Sequence, residues 1–217
     1  MTAYPYPTLT PRIPLKDALT AIGLYLEIEP KLLIDYAEED QLGGYHHDIK
    51  ERTFPHGIWG VEGQIIYALI RATRPRHILE IGNCWKNSTL HIGDAVLANG
   101  KGKVTTFDLE VLLQVPEEYQ SFMKSQREDL RNFNYRTRPL LDFVFEDSFH
   151  TEELVSHVWK EFAEHARKGA IIVSHDSEHF REGERVQAGI KQVVDPGDYL
   201  SVAIDPADCG LALWRKP

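Results

Sequence analysis

Apolar positions along the chain recur with two different periods, and the changes between them mark out its elements. Leu15, Leu19, Ile22 and Leu26 recur at helical spacing and predict a helix over 15–28, and Pro30 opens a second helix through Leu33 and Tyr36. Ile65, Ile66, Leu69 and Ile70 predict an amphipathic helix over 62–73 that Pro75 ends. The period then shortens. Ile78, Leu79 and Ile81 form an apolar run that stops at Gly82, and helical spacing returns from Ser88 with Leu90, Ile92, Val96 and Leu97. Gly100 and Gly102 end that helix, and 104–107 reads as a second short strand finishing in Asp108 and Glu110. Strands joined by a helical crossover lie parallel in a right-handed unit, so the Gly82 loop and Asp108 are expected at the same carboxyl edge of one sheet.

Beyond this unit, Pro116, Glu117 and Glu118 start a predicted helix through Tyr119, Phe122 and Leu130. Only 134–140 then separates it from the apolar run 142–146. A third strand is therefore either a short piece at 135–138, or the topology is trimmed at that edge. Asp147 stands at the end of the run 142–146. Thr151 caps a helix with Glu152 and Glu153 in its first turn and Leu154, Val155, Val158, Trp159 and Phe162 on its apolar face; Gly169 closes it. A strand over 170–174 ends in His175 and Asp176, a helix follows over 184–194, and 199–204 with 211–215 form a hairpin around the turn 206–210. The pattern predicts an α/β fold with a mainly parallel sheet, a C-terminal antiparallel hairpin and N-terminal helices. We divide it into residues 1–60, an arm, helices and loop forming a lid, and residues 61–217, the α/β domain.

Composition narrows the functional classes. A chain of 217 residues with 42% hydrophobic content can bury one substantial core. The net charge of -9, with no basic run, argues against a nucleic-acid partner, and no apolar run approaches membrane-spanning length. Cys84 and Cys209 are too few and too far apart for a disulfide framework, and there is no basic-then-apolar leader, so a cytoplasmic setting is expected. Pro5, Pro7, Pro11 and Pro14 deny a helix to the N-terminal arm, which is either disordered or a clamp on a neighbour in a homo-oligomer. The loop 41–60 carries His46 and His47, which can reach a site but are more simply solvated loop histidines.

The chemistry lies at the strand ends. A nucleotide-like ligand can set its charged part on the helix start after Gly82 and its ribose hydroxyls on Asp108. A second group, Asp147, His150, His175, Asp176 and His179, offers carboxylates and imidazoles suited to a divalent ion. Trp85 can stack on a flat ligand or pack on a neighbouring helix, and Lys86 can meet an anion or face solvent.

Glu80, Ile81 and Gly82 followed by Ser88 and Thr89, then an acidic residue closing the next strand, resemble the first motifs of class I S-adenosylmethionine-dependent methyltransferases. Glu62 to Ile66 and Arg71 are similar to catechol-type O-methyltransferases, and the segments 142–153 and 169–176 to macrocin-type ones. The resemblance spans roughly residues 55–215 and implies a Rossmann-like fold, O-methyl transfer to a small-molecule hydroxyl, and S-adenosylmethionine held by Glu80, Gly82, Ser88, Asp108 and Asp147. It also implies a magnesium ligand at Asp147, a general base at His150, and an acidic pair matching His175 and Asp176. Here His175 replaces the first acid, so Asp147, His175 and Asp176 form an ion site with fewer hard oxygen ligands, better suited to a transition metal. Cys84 and Lys86 stand where the family usually has glycine, so two rival readings are carried: a fold that has lost the cofactor and serves as a binding or scaffold protein, and a metal enzyme of other chemistry.

Overall fold

The computed structural model describes residues 8–40, 58, 60–83, 87–109, 114–129, 131, 139–207 and 209–217. In chain order the elements are α1 (Leu15–Leu26), α2 (Pro30–Glu39), α3 (Gly60–Thr73), β1 (His77–Ile81), α4 (Asn87–Asn99), β2 (Lys103–Asp108) and β3 (Met123–Arg127). They continue with β4 (Leu141–Glu146), α5 (Glu152–His165), β5 (Ala166–His175), α6 (Gly183–Lys191), β6 (Leu200–Val202) and β7 (Leu211–Arg215). The strands form one seven-stranded sheet in the order β3-β2-β1-β4-β5-β7-β6. β1 to β5 are mutually parallel along this order, and β7 runs antiparallel between β5 and β6. This is the mainly parallel sheet with a terminal hairpin that the pattern predicts, in the Rossmann-like arrangement that the resemblance implies.

Both faces of the sheet are covered, because its strands carry apolar side chains on alternate sides. Ile78, Val104, Phe143, Phe145, Ile171 and Val173 share one buried cluster with residues of α1 to α4. Leu79, Ile81, Val144 and Ile172 join the other with Val155, Val158, Trp159 and Phe162 of α5 and Val186 and Ile190 of α6. The N-terminal helices are thus part of the main core; Ala18, Leu19, Ile22 and Leu26 are at most 1% exposed. Trp159 is fully buried and its Nε1 donates to Ser174 Oγ at 2.8 Å, which fastens α5 to β5. Among the described residues, no helix is long and apolar enough to cross a membrane.

Three expectations are corrected by long-range pairing. In place of a helix from Pro116 through Leu130, the chain makes a short 3-10 turn, Glu117–Tyr119, and then β3, paired with β2 in the register Val104 to Met123 through Asp108 to Arg127. Tyr119 and Phe122 imitate helical spacing, but the open edge of β2 supplies a full ladder of hydrogen-bond partners, and that decides the segment. The third strand therefore lies earlier than expected; the segment 135–138 is outside the described residues.

Second, Gly169 does not end α5. The helix stops at His165, and Gly169 sits inside β5 with φ of 79°, where the β4 pairing jumps from Leu141–Ala166 to Phe143–Ile171. Glycine here absorbs an irregularity in the ladder, and its N–H donates to Lys216 O at 2.8 Å.

Third, the described part of the arm, 8–13, is not disordered but held against its own chain. Thr8 bridges His179, Ile13 bridges Ile204, and Thr10 donates from N and Oγ1 to Glu178 Oε2 at 2.9 and 2.8 Å. Glu178 is fully buried and takes its other donors from Ser201 and Gln187, so its need for partners explains why the arm is held.

Candidate functional site

The sheet order reverses beside β1: the chain moves outward to β2 and β3, then returns to β4 on the other side. Such a switch point leaves a crevice at the carboxyl ends of the strands. Register places its residues together, since Ile81 pairs with both Phe107 and Glu146, and Glu146 pairs with Ser174. Gly82, Asp108, Asp147 and His175 therefore emerge at one edge.

Gly82 is where the two halves of this edge touch. Its N–H donates to Phe107 O at 2.8 Å while Asp147 N donates to Ile81 O at 2.8 Å, tying β1 to both neighbours just past the strands. It has φ of 85°, and a Cβ there would lie 2.0 Å from the Asp147 carbonyl oxygen. Glycine is required here by a backbone-to-backbone approach.

On the β2 side, Asn83 N donates to Asp108 Oδ2 at 3.3 Å and Asn83 Nδ2 to Thr106 Oγ1 at 2.8 Å, which fixes the acidic side chain against the loop. Glu80 is fully buried and accepts from Ser88 Oγ at 2.7 Å and from Thr89 Oγ1 at 2.9 and 2.8 Å. Glu80 and Ser88 are brought together, and their bond fastens the first turn of α4 to β1. Burial pushes the Glu80 carboxyl up to about 7, against the pull of hydrogen bonds from Thr106, Ser88 and Thr89. Cys84, Trp85, Lys86 and Glu110, like His46 and His47, lie outside the described residues.

On the β4 and β5 side the histidines and acids interleave. His150 Nε2 lies 3.5 Å from Asp147 Oδ1 and 3.3 Å from Asp176 Oδ2. His175 Nδ1 lies 3.2 Å from Asp147 Oδ1 and 3.3 Å from Asp176 Oδ2, while its Nε2 lies 3.1 Å from Glu62 Oε2. The result is a chain of alternating charge from Glu62 through His175 and the two aspartates to His150. Burial opposes charge on His175, but Asp176, Asp147 and Glu62 outweigh it and hold the imidazole well above its usual range. His150 is likewise raised to about 9 against burial, by its hydrogen bond to Asp147 and the charges of Asp176 and Glu146. Asp147 and Asp176 are both lowered, because the adjacent imidazoles overcome the cost of burial. Asp176 holds its side chain here from a left-handed backbone, φ of 57°, at the turn out of β5. His179 does not join the group: its Nδ1 accepts from Glu182 N at 3.4 Å, toward the start of α6.

Two members of this group were not anticipated. Glu62 is fully buried on α3 and its Oε1 accepts from Gly210 N at 2.9 Å. A signal for it existed, since 62 precedes 65, 66, 69 and 70 on the apolar stripe, where an unpartnered glutamate is costly. Cys209 carried none; its thiol, between His175 and Asp176, comes from the β6–β7 turn, remote in sequence.

The donor set fits a divalent ion. The ligating atoms of Asp147, His150 and Asp176 all lie within 4.8 Å of one another, and so do those of His175, Asp176 and Cys209. His150 Nε2 is buried, and the groups facing it are the carboxylates of Asp147 and Asp176.

Residues 79–177 match the family described as a methyltransferase domain. The matched segment includes Gly82, Asp108, Asp147, His150, His175 and Asp176, and leaves out Glu62 and Cys209. No curated protein matches the sequence. Among solved structures, the O-methyltransferase TomG of Streptomyces achromogenes, in complex with S-adenosylmethionine, superposes with a TM-score of 0.56 at 14% identity, covering 100% of both chains. The O-methyltransferase of Bacillus cereus, in complex with S-adenosylhomocysteine, gives 0.53 at 16% identity over 93% of this chain and 100% of its own. The methyltransferase PaMTH1 of Podospora anserina, bound to S-adenosylhomocysteine, gives 0.56 at 13% over 96% and 100%. The resemblance to class I methyltransferases thus extends from motifs to the whole fold.

Proposed function

We propose that this chain, with its methyltransferase fold, transfers a methyl group from S-adenosylmethionine to a hydroxyl of a small molecule, assisted by a divalent ion. The observation that carries the reading is the junction at Gly82, where a dinucleotide-type crevice bounded by Asp108 meets the group of Asp147, His150, His175 and Asp176. Asp108 accepts the ribose hydroxyls, and Gly82 and the adjacent Asp147 backbone line the cofactor's path. Glu80 and Ser88 serve the cofactor by fixing the α4 start toward which it lies. Asp147, His175 and Asp176 would hold the ion, which would supply positive charge that favours loss of the acceptor's hydroxyl proton. A bound cation would offset the carboxylates that hold His150 protonated and free its Nε2, which then takes the hydroxyl proton as the new carbon–oxygen bond forms and the sulfur–methyl bond breaks.

Calorimetric titration with S-adenosylmethionine and with its demethylated product, with and without divalent ions, tests this reading. Binding of both, lost in Asp108→Ala, is expected. No binding at millimolar cofactor would overturn methyl transfer in favour of a scaffold role or, if ions still bind, of other metal chemistry. Lys86→Gly sharpens the result: tighter binding is expected if the lysine obstructs the cofactor loop.

A further inference from the structure

We infer that the ion bound here belongs to the nitrogen- and sulfur-preferring class, zinc or cobalt(II), with Cys209 as a ligand and Glu62 as the residue that aims His175 at it. This rests on the ion-binding half of the proposed function and not on the cofactor. The first ground is composition of the site. His175, Asp176 and Cys209 bring a nitrogen, an oxygen and a sulfur within 4.8 Å of one another, in a set that shares Asp176 with the Asp147 and His150 group. Magnesium binds hard oxygen in octahedral surroundings, whereas imidazole and thiolate favour zinc and its neighbours.

The second ground is the environment of His175. A histidine ligates through one ring nitrogen and is held in that tautomer by a partner on the other. Here Nε2 is 3.1 Å from Glu62 Oε2, while Nδ1 faces the aspartates. Glu62 is itself fully buried and pinned by Gly210 N, the residue after Cys209. One carboxylate therefore orients the imidazole and fixes the turn that delivers the thiol. In such a site Glu62 is a positioning residue that keeps the proton on Nε2, leaving Nδ1 for the ion.

Cobalt(II) titration of the chelator-treated full chain, without S-adenosylmethionine, tests this by absorption spectroscopy. A thiolate-to-cobalt charge-transfer band is expected in the near ultraviolet, absent in Cys209→Ser. Zinc should displace the cobalt at stoichiometric amounts and magnesium only in large excess. Glu62→Gln, which can present a donor to Nε2, should weaken cobalt binding about 10- to 100-fold. Should that variant fail to fold, nitrogen NMR of the zinc-loaded native protein reads the tautomer directly, with a protonated Nε2 and a metal-shifted Nδ1 expected. A cobalt spectrum unchanged in Cys209→Ser, displacement by equimolar magnesium, or a proton on Nδ1 would overturn the proposal. Because no cofactor is added, cobalt binding with failed S-adenosylmethionine titration would sink methyl transfer alone, and the converse would sink the ion site alone.

Discussion

The two halves of the crevice treat buried carboxylates in opposite ways. At the β1 and α4 side, Glu80 is surrounded by hydroxyls from Ser88, Thr89 and Thr106, which donate hydrogen bonds but carry no charge, and burial raises its pKa to about 7. At the β4 and β5 side, Asp147 and Asp176 face His150 and His175, and their pKa values fall although they too are removed from water. Burial is common to both, so the partner's charge decides the sign. The first half is built to hold a loop in place. The second is built to hold charge, which suits ion binding and proton transfer.

If the halves do separate work, mutations should separate their functions. His150→Ala should lower turnover by roughly two to four orders of magnitude, the usual scale for losing a general base, with S-adenosylmethionine affinity unchanged by calorimetry. Parallel loss of cofactor binding would break the division. Asp108→Ala should weaken cofactor binding by on the order of a hundredfold or more, as two charge-assisted hydrogen bonds are lost, while cobalt still binds.

Gly82→Ala acts on the junction. The left-handed φ and the approach to Asp147 O predict a stability loss of about 3–4 kcal/mol in denaturant unfolding, with damage to both ligands' binding. An alanine variant as stable as the parent would show that the junction is looser than the distances imply.

Glu80 gives a signature in pH. Unfolded, the group ionises near 4.5; folded, it does so at about 7. Between these values the folded chain keeps a proton that the unfolded chain has released, so its stabilising contribution is complete below pH 4.5. That contribution is lost as pH rises to 7 and stays level above it. The span from 4.5 to about 7, at about 1.4 kcal/mol for each pH unit, bounds the loss at about 3.5 kcal/mol. Glu80→Gln should remove this slope from the stability curve measured between pH 4 and 8. Persistence of the slope would assign it to another group.

Much of the architecture was legible because it is written locally. Apolar spacing marked β1, α4, β2, α5 and the terminal hairpin, and Gly82, Asp108, Asp147 and Asp176 were recognisable as residues following strands. Parallel crossover then required those ends to share an edge, so much of the candidate site could be named. The segment 123–127 was misread because its own side chains prefer nothing strongly, and the vacant edge of β2 made it a strand.

Sequence by itself determined the order of elements, the faces they bury and the acidic and imidazole groups at the strand ends, because backbone period and turn residues act over a few positions. Only the tertiary structure decided that Glu62, from α3, and Cys209, from the β6–β7 turn, meet His175. Glu62 is 113 positions from His175, and Cys209 lies in the turn between two later strands. No local pattern encodes such a meeting; it follows from how helices and strands stack around one sheet, and from the need of a buried carboxylate for a donor wherever the packing brings one.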